Sequence, residues 1–257
     1  QYNITQLNPD SERIEQPEDI KLPLKYHQLS LIKYCTQVEQ TNTKPFIHNE
    51  TTQKGDYTFQ VTSKSGIIGD IVGSGKTLSI LGLISYTKNT NLNINPFENK
   101  DHYTQNFRIN CVKQPTLSTN EVNTTLVIVP HTIFKQWEKT INEQTDLKCL
   151  GINTSKTLNK LSEIREKSLD QNDDAPINIY NSWDGKELEE FDIILVSSTF
   201  YAKFMTVLYR DSIKLKRVVF DEADSIKIQG SYMIENSLFS LLIENLILLL
   251  RSLFPSL

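Results

Sequence analysis

The sequence is poor in cysteine and contains no C-x-x-C pair. Its three cysteines, Cys35, Cys111 and Cys149, lie far apart along 257 residues. Because zinc ligands usually come in closely spaced pairs, this arrangement argues against a zinc site, and it argues equally against a disulfide framework. We expect three reduced thiols that are buried or chemically inert.

The chain also lacks an excess of positive charge. It has 27 basic and 31 acidic residues, for a net charge of −4. The chain as a whole therefore has no basic footprint for nucleic acid. Any contact with nucleic acid must come from a local basic patch or from sequence outside this chain.

No apolar stretch near the start resembles a signal peptide. We therefore expect an intracellular protein that is not secreted, although the sequence does not distinguish nucleus from cytoplasm. The N-x-[ST] triplets then follow from an abundance of Asn and Thr rather than from glycosylation. These triplets begin at Asn3, Asn49, Asn123 and Asn153.

Apolar segments alternate with segments of helical spacing along most of the chain. The apolar segments at 66–68, 124–129, 191–197 and 217–220 are nearly continuous, which is typical of strands that are buried on both faces. Strands that alternate with helices predict an α/β fold with a central parallel sheet flanked by helices.

Composition divides the chain into three segments. Residues 1–21 are polar and acidic, and we expect them to be poorly ordered. Residues 22–230 form the predicted α/β domain. Within it, 89–122 contains many Asn and Thr residues with little periodicity, which indicates a surface insertion.

The third segment, 231–257, becomes rich in leucine from Ser237 onward. One interpretation is an apolar helix that packs on the domain or on a partner. A second is a membrane segment, which Glu244, Asn245 and Arg251 interrupt within a barely adequate length. A third is non-native sequence after a frameshift. The change of composition slightly favours the third interpretation over the first, and we expect no membrane partner.

The strongest chemical signal is the segment 70–77 (DIVGSGKT), which lies between a predicted strand and a predicted helix. The small residues Gly73, Ser74 and Gly75 allow backbone N–H groups to approach phosphate oxygens. The following helix directs its positive N-terminal end toward the same anion. This pattern predicts a phosphate-binding loop.

Two side chains at the end of this loop have expected roles. Lys76 should reach the β- and γ-phosphates of a nucleotide, and the hydroxyl of Thr77 should bind Mg²⁺. The strict phosphate-loop pattern requires glycine where this sequence has Asp70, so the pattern is not matched at its first position.

A second signal is the acidic segment 221–224 (DEAD), which directly follows an apolar strand. Its carboxylates lie at the carboxyl end of that strand, where open α/β sheets bind their ligands. Asp221 is expected to hold Mg²⁺, partly through water, and Glu222 to orient or deprotonate the attacking water. A solvated acidic turn is the alternative, which the preceding phosphate loop makes less attractive.

An arginine that stabilises the transferred phosphoryl group is missing from this pattern. Phosphoryl transfer usually needs such an arginine for efficient catalysis. After the acidic segment the sequence contains one arginine, Arg251. The sequence therefore predicts a nucleotide site without an evident arginine finger.

These segments, in this order, resemble the motifs of superfamily-two helicases, specifically the Swi/Snf-like branch. The resemblance covers motif I, motif Ia with the Q-W that follows it, the next strand, and motif II. In this sequence they are 66–77 (GIIGDIVGSGKT), 126–137 (LVIVPHTIFKQW), 191–198 (FDIILVSS) and 217–227 (RVVFDEADSIK).

The segment 24–28 (LKYHQ) resembles the upstream motif of the same branch, whose glutamine contacts adenine. The resemblance therefore makes Gln28 an expected adenine contact. It also implies a RecA-like P-loop domain, the first lobe of a two-lobe helicase core, which binds ATP and Mg²⁺. Hydrolysis of ATP would be coupled to translocation on nucleic acid, or to its remodelling, with DNA favoured over RNA.

The sequence is similar in detail to helicases of large DNA viruses, and it departs from the branch in two respects. Asp224 stands where the branch usually has histidine. The motif expected after motif II and the second RecA-like lobe are not found. We therefore expect an incomplete helicase, whose second lobe a separate polypeptide could supply.

The resemblance places nucleic-acid contacts in the loops after motif Ia and after the strand at 191–198. Basic residues near these loops could neutralise phosphates, or they could be ordinary surface residues. They are Lys135, Lys139, Lys203, Arg210, Lys214 and Lys216. We expect Trp137 to anchor a helix in the core rather than to stack on a base.

Two functions compete with that of an ATP-binding helicase lobe. One is a regulatory module that binds nucleotide or a partner without chemistry, in which the leucine-rich segment docks elsewhere. The other is a non-functional gene remnant, for which the composition change after residue 230 is the motivating observation.

Overall fold

The computed structural model describes residues 7–40, 46–52, 55–61, 65–90, 103–104, 107–108, 120–170, 183–211, 213–223 and 243–249. The helices in these ranges are α1 (Tyr26–Gln40), α2 (Lys76–Thr87), α3 (Phe134–Gln144), α4 (Ser155–Asp170) and α5 (Tyr201–Arg210). Short 3₁₀ helices span His131–Ile133 and Lys186–Glu190. The strands are β1 (Phe46–Thr52), β2 (Gly55–Val61), β3 (Ser65–Ile68), β4 (Tyr103–Thr104), β5 (Phe107–Arg108), β6 (Asn120–Val129), β7 (Cys149–Ile152), β8 (Ile193–Ser197), β9 (Ile213–Phe220) and β10 (Ile243–Leu249).

A parallel sheet of six strands organises the described part of the chain. Its order is β3-β10-β9-β6-β8-β7, and every neighbouring pair is parallel. The predicted α/β class with a central parallel sheet flanked by helices is therefore confirmed. Two small antiparallel pairs, β1 with β2 and β4 with β5, complete the strands.

Both faces of the sheet are apolar, as a parallel sheet between two helical layers requires. Successive residues of a strand point to opposite faces. Val127 and Val129 of β6 accordingly pack with α1, α2 and α3, whereas Leu126 and Ile128 pack with α4 and α5. This double burial explains why the central strands are nearly continuous apolar runs.

The N-terminal segment is ordered from residue 7, so the prediction of a poorly ordered 1–21 is wrong for the described residues 7–21. Ile14 and Ile20 are buried in the core beneath α2 and α3. Asp19 accepts hydrogen bonds from Ser85 on α2, at 2.6 Å, and from Lys88, the residue that follows α2, at 2.7 Å. Apolar contacts of two isoleucines and the paired carboxylate of Asp19 thus help to fix a polar segment that lacks periodicity.

Residues 243–249, within the leucine-rich segment, form β10 in the middle of the sheet. The helical interpretations of the segment are wrong for these residues, and the predicted domain boundary at 230 is too early. A central parallel strand is apolar on both faces, and such a run cannot be distinguished from a buried helix by periodicity. Among the described residues, no helix is long and apolar enough to cross a membrane.

The predicted insertion at 89–122 is shorter than expected at its far end, because β6 already begins at Asn120. Much of the remainder lies outside the described residues. The residues before the phosphate loop contain the antiparallel β1–β2 pair, in which Phe46 pairs with Val61 and Thr52 with Gly55.

A buried ion pair connects β9 to the helices behind the phosphate loop. Arg217, whose side chain is 1% exposed, donates to both carboxylate oxygens of Glu39 on α1, at 2.6 and 2.5 Å. It also donates to the hydroxyls of Thr87 on α2, at 2.9 Å, and Thr125 on β6, at 3.1 Å. One guanidinium therefore holds four elements together.

Removal of Glu39 should destabilise the fold strongly, because Arg217 would remain buried without a counter-charge. We expect Glu39→Ala to lower the free energy of unfolding by about 3–5 kcal/mol. Urea denaturation of the two proteins measures this difference. In the control, Glu143→Ala removes an exposed pair with Lys139 at 3.9 Å, which should cost less than about 1 kcal/mol. Equal costs for the two variants would contradict the role given to Arg217.

Candidate nucleotide-binding site

The phosphate loop and the acidic segment both leave the sheet at the carboxyl ends of its strands, and β10 lies between them. Ile68 at the end of β3 pairs with Leu249 of β10, and Leu248 pairs with Phe220 at the end of β9. Because neighbouring strands lie 4.7–4.9 Å apart, the phosphate loop and the acidic segment start about 10 Å from each other. The sheet therefore brings together two segments that are far apart in sequence.

The phosphate loop depends on two glycines with left-handed backbone conformations. Gly73 has φ 84° and Gly75 has φ 86°, values that side chains disfavour. A Cβ atom at Gly75 would also lie 2.5 Å from Nε2 of Gln28. Glycine is thus required at residue 75 for both conformation and space. The α2 helix begins directly after it, at Lys76.

The ammonium group of Lys76 is folded over the backbone of its own loop. Its Nζ donates to the carbonyl of Asp70 at 2.7 Å and to that of Ile71 at 3.1 Å. Ser74 Oγ is buried and has no hydrogen-bond partner among the described residues. A cation inside a loop with an unpartnered hydroxyl is an arrangement that suits an anionic ligand.

Gln28 lies against the phosphate loop, and both ends of its amide contact the chain itself. Oε1 accepts the backbone N–H of Lys25 at 2.8 Å, and Nε2 donates to the carbonyl of Gly75 at 3.1 Å. The neighbouring His27 places Nε2 3.0 Å from the carbonyl of Ser74. The upstream motif therefore supports the loop backbone, while the adenine contact expected of Gln28 stays a prediction.

Asp221 lies at the end of β9 and is largely buried, with 9% of its surface exposed. Burial raises the pKa of its carboxyl group above the ordinary value, and the hydrogen bonds and the charge of Lys76 act in the opposite direction. Oδ2 accepts the indole N–H of Trp137 at 2.7 Å, and Oδ1 accepts the backbone N–H of Glu222 at 2.9 Å. The carboxylate is thus held in one orientation.

Glu222 has φ 47°, and it is the only residue other than glycine in the described ranges with a positive φ. A side chain in this left-handed conformation costs of order 1–2 kcal/mol. Strain of this kind concentrates at functional sites. Asp224, the last residue of the acidic segment, lies outside the described residues.

The oxygen atoms near the loop fit a magnesium ion that binds together with a nucleotide. Asp221 offers a carboxylate, and Thr77 offers a hydroxyl in the first turn of α2. No group of three or more metal-ligating side chains occurs among the described residues. Mg²⁺ usually takes one or two carboxylates and completes its coordination with phosphate oxygens and water. The donor set therefore suits Mg²⁺ on a bound nucleotide rather than a metal cage made of protein alone.

Lys216 is wrong as a candidate for nucleic-acid contact, because it is buried in the fold. Its Nζ donates to the carbonyls of Thr87 and Thr90 at the end of α2, the latter at 3.0 Å. Lys214 is also engaged, in a 3.4 Å ion pair with Glu121. Their alternation with apolar residues on β9 is the sequence signal that these lysines belong to a strand.

The contact between Trp137 and Asp221 was not found by sequence reasoning. Trp137 is 1% exposed, so its predicted role as a core anchor is confirmed. The acceptor of a buried indole N–H cannot be deduced from spacing, because here it lies 84 residues away.

The sequence model of the SNF2-related domain family matches residues 27–250. The chain is 28% identical over 177 residues to "Putative helicase R592" of Acanthamoeba polyphaga mimivirus, an alignment that covers 62% of this chain and 20% of that protein. The chain thus spans about a fifth of the length of that relative.

A solved structure, the "Sulfolobus solfataricus SWI2/SNF2 ATPase core in complex with dsDNA", superposes with a TM-score of 0.49 and 18% identity. The superposition covers 94% of this chain and 34% of that chain.

The strain at Glu222 predicts an unusual order of stability for two substitutions. We expect Glu222→Gly to be more stable than Glu222→Ala by about 1–2 kcal/mol, because only glycine adopts a positive φ without cost. Comparison of these two variants removes every contact of the glutamate side chain from both. Urea denaturation measures the difference.

The same pair of substitutions at exposed Lys139, inside α3, is the control. There alanine should be the more stable by about 1 kcal/mol. An alanine variant at 222 that equals or exceeds the glycine variant in stability would refute the strained conformation.

Proposed function

The chain belongs to the SNF2-related domain family, and from this membership we propose that it is the ATP-binding lobe of a nucleic-acid-dependent ATPase of the helicase type. The observation that carries the proposal is the placement of the phosphate loop and the acidic segment at one edge of the sheet. A nucleoside triphosphate bound in the phosphate loop would direct its γ-phosphate toward Asp221 and Glu222.

Binding of ATP, in this proposal, transfers Lys76 from its own loop to the nucleotide. In the structure, the carbonyls of Asp70 and Ile71 accept the N–H groups of Lys76. Phosphate oxygens are stronger acceptors because they carry charge. The N–H groups at the start of α2 add the favourable field of the helix terminus.

Hydrolysis requires two further tasks, which we assign to neighbouring carboxylates. Asp221, together with Thr77, would hold Mg²⁺, which when bound neutralises charge on the β- and γ-phosphates. Glu222 would orient the attacking water or accept its proton. The positive φ of Glu222 supports this role, because backbone strain of this kind concentrates at functional sites.

We propose that the complete reaction also uses a second RecA-like lobe that supplies an arginine. The chain spans a fifth of its mimivirus relative, so movement along nucleic acid is proposed for a complete protein or complex. The resemblance of the motifs to Swi/Snf-like helicases supports this two-lobe arrangement.

Nucleic acid, with DNA favoured over RNA, is the proposed partner of the carboxyl edge of the sheet. Lys135 lies in the first turn of α3 and Lys203 in the first turn of α5, and both are exposed. These helices follow β6 and β8, which are neighbours in the sheet. Two exposed lysines at the same edge could neutralise phosphates of one strand.

Titration calorimetry with Mg-ATP tests the nucleotide site. The wild-type chain should bind in a saturable manner, and Lys76→Ala should weaken binding roughly tenfold or more, because a charged hydrogen-bond donor is lost. Lys160→Ala on α4, where the lysine is exposed, is the matched control and should bind as the wild type does. The proposal fails if folded wild-type protein binds no Mg-ATP, or if Lys76→Ala binds it equally well.

A further inference from the structure

Trp137 connects helix α3 with Asp221, the carboxylate to which the proposed function assigns Mg²⁺. It lies on the buried face of α3, with Phe134 and Ile141, and 1% of its surface is exposed. Its indole N–H donates to Oδ2 of Asp221 at 2.7 Å. This distance is at the short end of the range for N–H···O bonds and is typical of a charged acceptor.

The acceptor of this hydrogen bond is informative. A buried indole N–H needs a partner, and a backbone carbonyl would serve equally well for stability. Here the partner is the carboxylate of Asp221, which directly follows β9. Oδ1 of the same carboxylate accepts the N–H of Glu222. Each oxygen thus has one fixed donor, which prevents rotation of the carboxylate.

Fixing the carboxylate in this way leaves it able to bind a metal. An ionised carboxylate has about four lone-pair positions, and the two donors use two of them. The remaining positions can accept a metal ion or its bound water. Groups that orient a metal ligand from behind typically change metal affinity by about 10–100-fold when they are removed.

We propose that Trp137 is a positioning residue, whose indole N–H holds Asp221 in the orientation that binds the magnesium ion of Mg-ATP. This inference rests on the proposed function, since it assigns the metal to Asp221. It gives the tryptophan of the Q-W segment a role in metal binding that core packing does not include.

The test compares nucleotide affinity with and without metal in Trp137→Phe, which keeps an aromatic ring but removes the N–H. A fluorescent ATP analogue is titrated in EDTA and at a series of Mg²⁺ concentrations. We expect the apparent Mg²⁺ affinity to fall by about 10–100-fold, with the affinity in EDTA within about twofold of the wild type.

Trp183→Phe is a matched control. Trp183 is also 1% exposed and donates its indole N–H to a carboxylate, that of Glu187, at 2.5 Å. It packs in the cluster of α4 and α5, on the opposite face of the sheet. Its substitution removes the same kind of hydrogen bond and should leave the Mg²⁺ dependence unchanged.

The outcomes separate the inference from the proposed function. Normal Mg²⁺ dependence in folded Trp137→Phe overturns the inference and leaves the nucleotide site intact. Equal losses in EDTA and in Mg²⁺ also overturn it, because they indicate a structural effect alone. Wild-type protein that binds no nucleotide overturns the proposed function and the inference together.

A second measurement covers the case in which Trp137→Phe does not fold. The chain contains two tryptophans, so Trp137 is the only one in Trp183→Phe. Its fluorescence, with ATP present, should change when Mg²⁺ is added and should not change when ATP is added in EDTA. Emission that does not respond to Mg²⁺ contradicts the proposal.

Discussion

The parallel pairing of β10 with both β3 and β9 is the constraint on which the candidate site depends. It sets Ile68 and Phe220, the last residues of their strands, at nearly the same height on either side of one strand. The phosphate loop and the acidic segment must then emerge together, about two strand spacings apart. No other contact between these segments is needed to explain why they meet.

A buried ion pair and a glutamine support the strands and the loop that form the candidate site. Arg217 is buried with Glu39. In a buried ion pair, the free energy lost by removing both charges from water offsets much of their attraction. Arg217 has one partner on each of α1, α2 and β6, namely Glu39, Thr87 and Thr125. The side chain of Arg217 therefore connects β9 to α1, α2 and β6. Gln28 continues this support to the carbonyl of Gly75.

Sequence reasoning succeeded where a short segment decides the local structure. The turn around Gly73 and Gly75, the acidic residues after β9 and the continuous apolar strands are local features, and the α/β class follows from their alternation. It failed where distant partners decide the structure. Residues 243–249 form a strand because two other strands pair with them. Residues 7–21 are held by contacts with residues far along the chain, such as those of Asp19 with Ser85 and Lys88. The bond from Trp137 to Asp221 is likewise set by the meeting of α3 and β9.

The central claim is that the phosphate loop and the acidic segment, at the carboxyl ends of β3 and β9, form a single nucleotide site. Hydrogen–deuterium exchange with and without Mg-ATP tests this claim most directly. Amide exchange should slow together at 70–77 and 217–223 when Mg-ATP binds, because both segments then contact one ligand. The edge strand β7, at the far side of the sheet, should keep its exchange rate. Protection of only one segment, or of neither, would contradict the account, since the two motifs would then not act on the same molecule.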